Sequence, residues 1–437
     1  IIRMSGKDSF TILEKIFKPK NKTKQIKGNT IKYGHIIDDQ EIIDEVLVSY
    51  FKAPKSYTTE DMCEINSHGG NVIVKKILEI CLKNGAELAE AGEFTKRAFL
   101  NGRIDLSQAE AVIDVINAKS SKEAKTGMKQ LEGILSKKIS EIKQEILDVM
   151  VNIEVAIDYP EYDVDDVTNQ QMIKMLENVH TKLKKLEKSF DNGKIIKEGI
   201  KTAIVGKPNA GKSSLLNAIV KEERAIVTQY EGTTRDTIEE FVTINGIPLK
   251  LIDTAGIRQA KDEVEKIGIQ KAKEIAKEAD LVIAIFDSSK DLSTEDLEIL
   301  DLIKNKKTII ILNKADLKPA LQSNDTRLTA ISKHIIKISA LNHIGIEELY
   351  EEITKLFQLN EINLDNEIVI TNLRHKNLIT KAIENVKKTK ETIEQKMPLD
   401  IVAIFIKDIL EDLGNITGEF VTDDIINEIF AKFCLGK

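Results

Sequence analysis

The stretch Gly206-Lys-Pro-Asn-Ala-Gly-Lys-Ser213 decides how the middle of this chain folds. It follows an apolar run at 202–205 and leads into a helical pattern that begins at Lys212, which is the strand–loop–helix context of a phosphate-binding loop. Its glycines let backbone amides surround phosphate oxygens, and the helix N-terminus adds positive potential. We expect Lys212 to bridge the β- and γ-phosphates of a nucleotide and Ser213 to ligate Mg²⁺. A chance glycine-rich turn is the alternative, which the adjacent Lys and Ser disfavour.

Two further motifs are typical of nucleotide-dependent switches. Asp253-Thr-Ala-Gly256 follows an apolar run at 249–252, and its Asp can hold Mg²⁺ through water while the Gly256 amide senses the γ-phosphate. Gly232-Thr-Thr-Arg-Asp236 lies between this motif and the phosphate loop, in a polar segment. We expect Thr234 to reach Mg²⁺ only when the γ-phosphate is present. Alone this segment is a weak signal, but its place between the other two motifs strengthens it.

A base-recognition motif, Asn313-Lys-Ala-Asp316, ends the apolar run at 308–312. The Asp316 carboxylate can accept both the N1 proton and the exocyclic amine of guanine. Adenine offers neither donor in that arrangement and would leave the carboxylate unpaired. Ser339-Ala-Leu341 ends the next apolar run, where it can support the base. In this order, the motifs predict a protein that binds and hydrolyses guanine nucleotides.

The residue that follows the Asp-Thr-Ala-Gly motif raises a question about hydrolysis. It is Ile257, which cannot hydrogen-bond, so the water-orienting glutamine of Ras-type enzymes is absent. Hydrolysis must then rely on another polar group, or be slow. The polar stretch that follows contains Arg258, Asp262, Glu263 and Glu265, and the residues alone do not choose among them.

Composition indicates a multidomain globular protein. The 437 residues are too many for one ordinary core, and contents of 42% hydrophobic and 31% charged residues suit folded domains. No apolar run approaches a membrane span, and we expect no membrane association. Cys63, Cys81 and Cys434 match neither a disulfide framework nor a zinc spacing, which favours free thiols in a reducing cytoplasm. The chain starts at Ile1 without an initiator Met, and we expect that further residues precede it.

Periodicity divides the chain into regions. Strand-like stretches at 32–65 and a helix at 72–83 indicate a small α+β domain. Apolar residues recur at steps of three and four over 106–157, which predicts one long helix of roughly 75 Å that needs helical neighbours. Met172–Phe190 supplies one such helix, and Asn192-Gly193 is expected to stop it. Further helices are predicted at 371–395, 400–413 and 418–433.

The central region has a different rhythm. Between Ile200 and Gln358, short apolar runs alternate with helical stretches, which predicts a mostly parallel, doubly wound sheet. The predicted fold class is therefore multidomain α+β, with an α/β P-loop domain inserted into a helical domain. The predicted boundaries are 1–117 for the N-terminal α+β domain, 118–199 and 359–437 for the two parts of the helical domain, and 200–358 for the P-loop domain.

Several segments together resemble the MnmE (TrmE) family of tRNA-modification GTPases. The resemblance covers essentially the whole chain, and the terminal Cys-Leu-Gly-Lys motif is quite specific to the family. The matching segments are 207–213, 232–236, 253–258 and 262–269 in the central domain, and Ser56–Gly70, Gly92–Leu106 and Cys434–Lys437 outside it.

The resemblance implies a potassium site. In the family, the GTPase domains of two subunits meet across K⁺ when GTP is bound. Asn209 matches the K⁺-ligating asparagine, while Thr228, Tyr230 and Thr233 match the loop that completes the site. The ion would stabilise charge on the transferring phosphoryl group, as an arginine finger does.

The resemblance also implies a complete hydrolytic site. Glu265 matches the glutamate that positions the attacking water. It would therefore take the role of the glutamine that is absent at position 257. The implied catalytic residues are Glu265, Lys212, Thr234 and Gly256. The expected Mg²⁺ contacts are Ser213, Thr234 and, through water, Asp253. The full GTP-binding set is Asn209, Ala210, Gly211, Lys212, Ser213, Ser214, Thr228, Gln229, Tyr230, Glu231, Gly232, Thr233, Thr234, Asp253, Thr254, Ala255, Gly256, Asn313, Lys314, Asp316, Ser339, Ala340 and Leu341.

The N-terminal domain of the family is similar to folate-binding one-carbon enzymes and mediates homodimerisation. By motif position, Arg3, Glu64 and Arg103 would line a site for 5-formyl- or 5,10-methylene-tetrahydrofolate, with Lys437 reaching it from the C-terminus. A carboxylate suits the ring NH and amine of a pterin, and cations suit the glutamate tail of folate. From the residues alone, a surface position is the more ordinary interpretation of Glu64 and Arg103. Thr59 stands where the family usually has glycine.

The resemblance names partners as well. The family acts with an FAD-dependent protein, MnmG, to install a (carboxymethyl)aminomethyl group at carbon 5 of the wobble uridine of tRNA. Cys434 could act as a nucleophile there, although no histidine near it in sequence would activate it. Lysine runs at 18–27 and 182–188 are more simply solvated faces than RNA-binding sites.

Other classes of GTPase share the nucleotide motifs. A ribosome-assembly or other regulatory GTPase switch is the main alternative, but such proteins often append an RNA-binding Gly-x-x-Gly loop, and the sequence contains no such tetrapeptide. A membrane-remodelling GTPase would need an apolar or amphipathic basic element, and none stands out. The N-terminal motif and the terminal tetrapeptide favour the tRNA-modification family.

Overall fold

The computed structural model describes residues 1–21, 29–158, 166–221, 240–244, 246–252, 276–358, 368–433 and 436. The chain forms two compact units. The first unit comprises Ile1–Ile113, Lys129–Val179 and Glu384–Lys437, and the second comprises Asp114–Met128 and His180–Ile383. Within the described ranges, no helix is both long and apolar enough to cross a membrane.

A five-stranded antiparallel sheet in the order β1-β5-β4-β3-β2 begins the first unit. Alternate residues such as Val46, Val48 and Ile65 are buried against two helices, which confirms the predicted α+β domain. Arg3 and Glu64 lie opposite each other on the other face. The elements are β1 (Ile2–Ser5), α1 (Ser9–Ile16), β2 (Phe17–Pro19), β3 (Thr30–Asp38), β4 (Glu41–Phe51), β5 (Met62–Asn66) and α2 (Asn71–Lys83).

The C-terminal helix packs against the helices that follow the N-terminal sheet in the chain. Ala98, Ile104 and Leu106 form one buried cluster with Phe430 and Phe433. The cluster holds the end of the chain near the N-terminal domain. Its helices are α3 (Glu93–Leu100), the start of α4 (Leu106–Ile116) and α14 (Asp423–Phe430), the last of the chain.

The predicted single helix over 106–157 is wrong, because three helices occupy this stretch: α4, α5 (Ser121–Leu131) and α6 (Ile134–Asp158). Ser120 starts α5, since its Oγ accepts from Glu123 N at 3.2 Å and the Glu123 carboxylate accepts from Lys119 N at 2.6 Å. Gly133, at φ +80°, then interrupts the helix and separates α5 from α6. Apolar periodicity continued across both breaks and concealed them.

The stop predicted at Asn192-Gly193 is also wrong, because α7 runs without interruption over Asp166–Glu198. A Cβ on Gly193 would lie 1.9 Å from the carbonyl oxygen of Ile370. This glycine therefore allows the segment around Ile370 to pack closely against the helix. The helix ends instead at Gly199, which has φ +77°. The predicted C-terminal helices are confirmed with shifted ends, as α12 (Leu373–Glu394), α13 (Leu399–Thr417) and α14.

The second unit contains a six-stranded sheet in the order β11-β10-β9-β6-β8-β7. Its strands pair in parallel except β7, and buried aliphatic side chains cover both faces, as the doubly wound prediction requires. Loops at the carboxyl ends of the parallel strands therefore share one edge. The elements are β6 (Ile200–Val205), α8 (Lys212–Lys221), β7 (Glu240–Ile244), β8 (Ile247–Leu251), β9 (Leu281–Asp287), α9 (Thr294–Ile303), β10 (Thr308–Asn313), α10 (Thr326–Thr329), β11 (Ile335–Lys337) and α11 (Ile346–Leu356).

Candidate functional site

The phosphate loop joins β6 to α8 as predicted. Lys212 lies within it, and its Nζ donates to the carbonyl oxygens of Gly206 at 2.6 Å and Lys207 at 2.9 Å. Burial lowers the pKa of Lys212. Asn209 has a left-handed backbone at φ +62° and is exposed on the loop. The ammonium is thus held inside the loop by backbone oxygens, where a more negative phosphate oxygen would be a stronger partner.

Two glycines of this loop allow it to fit against the sheet. A Cβ on Gly206 would lie 2.5 Å from the carbonyl oxygen of Ile285 on β9, and one on Gly211 would lie 2.0 Å from Asn313 Nδ2. Gly211 also has φ +106°. The loop therefore depends on glycine for both space and backbone conformation.

Asn313 connects the base-recognition motif to the phosphate loop. Its Nδ2 donates to the carbonyl oxygen of Ala210 at 2.8 Å, and its Oδ1 accepts from Ala340 N at 3.0 Å. The side chain is buried at the end of β10. One amide at the end of β10 thus joins the loops that follow β6 and β11, a connection that motif order alone did not reveal.

Asp316 and Ser339, which the sequence predicts to recognise and to support the base, are hydrogen-bonded to each other. Ser339 Oγ donates to Asp316 Oδ1 at 2.6 Å and so orients the carboxylate. Lys314 has φ +63° and its Nζ donates to Asp287 Oδ2 at 2.6 Å. Although burial opposes ionisation of Asp287, hydrogen bonds from Lys314 and Ser289 hold its pKa below the ordinary value. The described residues of the predicted base-recognition region are therefore hydrogen-bonded to their neighbours at the edge of the sheet.

Ser213 and Ser214 are exposed in the first turn of α8, as a ligand role requires. β8 runs parallel to β6 and ends at Leu251, so the chain leaves the sheet at the edge that carries the phosphate loop. The predicted switch and water-positioning residues lie outside the described residues. They are Thr228, Gln229, Tyr230, Glu231, Gly232, Thr233, Thr234, Asp253, Thr254, Ala255, Gly256, Ile257 and Glu265.

The structure brings together three of the predicted folate-site residues. Arg3 Nε and Nη2 both lie 2.7 Å from Glu64 Oε1. The Arg3 guanidinium is 5.8 Å from the ring centre of Tyr57 and 5.5 Å from that of Phe94, and the Arg103 guanidinium is 4.4 Å from Tyr57. Sequence reasoning missed both aromatic residues, although each lies in a segment that carries the family resemblance.

The C-terminus reaches this N-terminal site. Arg3 Nη1 donates to the carbonyl oxygen of Gly436 at 3.3 Å. Lys437, which the resemblance places at this site, and Cys434 lie outside the described residues. Gly436 of the terminal motif contacts Arg3, and the role of Lys437 stays a prediction.

A hydrogen-bonded loop supports the N-terminal site. Ser5 Oγ lies 2.6 Å from Thr58 Oγ1 and donates to Glu60 at 2.7 Å, while Arg97 pairs with Glu60 at 3.1 Å. Thr59 between them has φ +63°, a conformation that β-branched residues rarely adopt. The resemblance places glycine at this position, and glycine would adopt this conformation without strain.

The second unit is a P-loop nucleotide-binding domain of the GTPase class, because its phosphate loop and its Asp316–Ser339 pair meet at one edge of a mostly parallel sheet. Family models give the particular family. The MnmE helical domain matches residues 106–434, and the GTP-binding protein TrmE N-terminus matches residues 1–103. The chain belongs to the MnmE family of tRNA modification GTPases.

Individual relatives agree with this assignment. Proteins named tRNA modification GTPase MnmE from Acetivibrio thermocellus and Clostridioides difficile are 49% and 50% identical to this chain over 439 residues. Each alignment covers 100% of this chain and 96% of the relative. The solved G domain of the T. maritima FeoB iron transporter is 25% identical over 36% of this chain and 98% of its own, but its TM-score of 0.24 is too low to support a conclusion.

Proposed function

We propose that this chain hydrolyses GTP as part of the modification of tRNA at carbon 5 of the wobble uridine. The observation that carries the proposal is the pair of hydrogen bonds that unites the nucleotide motifs, from Asn313 to Ala210 and from Ser339 to Asp316. A carboxylate oriented in this way accepts both donors of guanine, whereas adenine offers neither. The name shared by the curated relatives supports the reaction and its tRNA setting.

The phosphate loop suits GTP bound with Mg²⁺. Lys212 would exchange its backbone carbonyl partners for the β- and γ-phosphates, and Ser213 would ligate the metal. Bound Mg²⁺ would neutralise charge on the phosphoryl oxygens. In this proposal Thr234 and Asp253 complete the metal contacts, and Gly256 responds to the γ-phosphate.

Potassium-dependent pairing of two GTPase domains is part of the proposal. Asn209 supports it, because an exposed amide in the loop offers an oxygen of the kind that K⁺ accepts. Thr228, Tyr230 and Thr233 would complete the site. Glu265 would orient the attacking water, the role that Ile257 cannot perform.

The proposal also includes a reduced folate, 5-formyl- or 5,10-methylene-tetrahydrofolate, at the N-terminal site. Its support is the placement of the Arg3 and Arg103 guanidinium groups around the Tyr57 ring beside the Glu64 carboxylate. Aromatic and guanidinium planes suit a flat pterin, and cations suit the glutamate tail. Lys437, at the C-terminal end of the sequence, would contribute a further cation to this site.

We propose a homodimer that works on tRNA with the FAD-dependent partner MnmG in the cytoplasm, with Cys434 close to the modification chemistry. Cys63 and Cys81 are buried free thiols, as a reducing compartment requires. Burial raises the pKa of Cys63 to about 12 and that of Cys81 to about 11, so neither thiol is suited to act as a nucleophile.

Base specificity provides a direct test of GTP recognition. Asp316→Asn should lose at least about a hundredfold in kcat/KM for GTP and gain activity towards xanthosine triphosphate, because an amide can donate to the extra keto oxygen of xanthine. Asp325→Asn at the start of α10 is a matched control that should leave both activities unchanged. An Asp316→Asn variant that still prefers GTP would contradict the proposed site.

The cation requirement is tested by GTPase rates in K⁺ and in Na⁺ at equal ionic strength. The wild type should be at least about tenfold faster in K⁺, and Glu265→Ala should be slow in both, because the ion and the water-positioning group act on the same step. Glu263→Ala is the matched control. Equal rates in the two salts, or an unimpaired Glu265→Ala, would refute this part of the proposal.

The tRNA assignment is tested by nucleoside analysis of tRNA from cells that lack the protein. We expect the carbon-5 substituent to disappear from wobble uridines and to return when the wild-type chain is expressed. Expression of Asp316→Asn should not restore it, because hydrolysis drives the cycle. Unchanged wobble uridines in the deletion strain would refute the tRNA role while leaving GTP hydrolysis intact.

A further inference from the structure

Lys207 belongs to the phosphate loop, yet its side chain leaves the loop for the N-terminus of α9. Its Nζ donates to Asp296 Oδ2 at 2.6 Å and to Ser293 Oγ at 3.3 Å. The side chains of Lys207 and Asp296 are only 18% and 3% exposed. A pair this sheltered is screened less by salt than a surface ion pair.

Asp296 is itself part of the cap of α9. The backbone amide and the hydroxyl of Ser293 donate to Asp296 Oδ2 at 2.9 and 2.7 Å, and Ser293 Oγ accepts from Asp296 N at 3.4 Å. The other oxygen, Oδ1, is buried without a hydrogen-bond partner in the part of the chain that the structure describes. Lys207 supplies a cation to this carboxylate, and its removal would leave a buried charge poorly compensated.

The backbone of Lys207 shapes the phosphate loop. Its carbonyl oxygen accepts from Ala210 N at 3.3 Å and from Lys212 Nζ at 2.9 Å. The preceding residue, Gly206, touches β9 so closely that a Cβ there would lie 2.5 Å from the carbonyl oxygen of Ile285. The first turn of the loop is therefore held by β9 through Gly206 and by α9 through the Lys207 side chain.

We propose that Lys207 is a positioning residue whose ion pair with Asp296 holds the first turn of the phosphate loop, so that Lys212 and the loop amides are ordered before a nucleotide binds. This inference rests on the proposed GTP binding and gives Lys207 no contact with the nucleotide. A loop that is already ordered loses less entropy on binding. The effect therefore falls on affinity for GTP and GDP alike, and not on the rate of hydrolysis of bound GTP.

The test compares Lys207→Met, Lys207→Arg, Asp296→Asn and the Lys207→Met/Asp296→Asn double variant. Calorimetric titration with GDP and Mg²⁺ gives Kd, and steady-state GTP hydrolysis gives KM and kcat. Lys207→Met should weaken GDP binding about tenfold and change kcat by less than about threefold. Lys207→Arg keeps the cation and should recover most of the affinity. The double variant should bind no more weakly than the weaker single variant, because both changes remove one interaction.

Lys290, which is exposed in the connection between β9 and α9, offers a matched control. Lys290→Met should leave Kd and kcat unchanged. Wild-type affinity in folded Lys207→Met, or losses that multiply in the double variant, would overturn the inference. If Lys207→Met does not fold, Asp296→Asn, which keeps an acceptor for Ser293, must show the same loss of affinity at unchanged kcat. A wild-type chain that binds no GDP would instead overturn the proposed function.

Discussion

Arg3 and Glu64 lie directly opposite each other on β1 and β5. Glu64 Oε1 accepts a hydrogen bond from Arg3 Nε at 2.7 Å, and it also lies 2.7 Å from Nη2. The remaining guanidinium nitrogen, Nη1, reaches the carbonyl oxygen of Gly436. Arg3, which lies on β1, thus contacts both β5 and the C-terminal segment. The two side chains are 26% and 20% exposed, so the ion pair remains accessible to a ligand.

Replacing Glu64 tests whether this pair forms a folate site. Glu64→Gln should weaken binding of 5-formyl-tetrahydrofolate at least about tenfold, because it removes a charged acceptor for the pterin and frees Arg3. The free energy of unfolding should fall by about 1 kcal/mol, because Gln still offers Arg3 a neutral acceptor in place of a charged one. Titration of the folate by fluorescence and urea denaturation measure the two effects. Glu187→Gln, which breaks a partly buried pair with Lys184, is the control and should bind folate normally.

Thr59 is predicted to store backbone strain. Thr59→Gly should raise the free energy of unfolding by about 1 kcal/mol, because relief of a left-handed, β-branched conformation outweighs the added flexibility of the unfolded chain. Urea denaturation followed by circular dichroism measures the change. Asn29→Gly, at φ +58°, is the matched control and should gain less, because asparagine tolerates this conformation. Equal changes in the two variants would contradict the assignment of strain to Thr59.

Gly211 should be irreplaceable in the phosphate loop. Gly211→Ala places a Cβ 2.0 Å from Asn313 Nδ2, so the bond from Asn313 to Ala210 must break and GDP affinity should fall at least about a hundredfold. Gly102→Ala is the control. It also has positive φ, at +72°, but nothing lies within 4 Å of its added Cβ. It should cost about 1 kcal/mol of stability and leave GDP binding intact. Wild-type GDP affinity in Gly211→Ala would contradict this loop geometry.

Glu123 should make stability depend on pH. Burial raises the pKa of Glu123 from 4.5 to about 7, so the folded protein favours the neutral carboxyl. Its stabilising contribution is complete below the unfolded pKa of 4.5 and is lost as pH rises through about 7. Glu123→Gln keeps an acceptor for Lys119 N and should flatten urea midpoints measured between pH 4.5 and 8. Exposed Glu132→Gln should retain the wild-type slope, and an unchanged slope in Glu123→Gln would reject the assignment.

Several helix boundaries could not be predicted from the sequence. The apolar spacing from 106 to 157 continues through Ser120 and Gly133, so it could not reveal the cap and the left-handed residue that divide the stretch into three helices. Gly193 gives the opposite error. The sequence predicts a helix stop there, but Gly193 lies inside α7 because Ile370 approaches the helix at that point. A glycine that ends a helix and one that admits a neighbour look alike in sequence.

The order of strand, loop and helix around 206–213 and the motif at 313–316 can be predicted from local patterns, because these features depend on residues that are adjacent in the chain. The folded chain adds that Arg3 and Arg103 share the ring of Tyr57 and that Lys207 pairs with Asp296. These partners are far apart in sequence. Their contacts depend on which strands and helices pack together, and no local pattern records that choice.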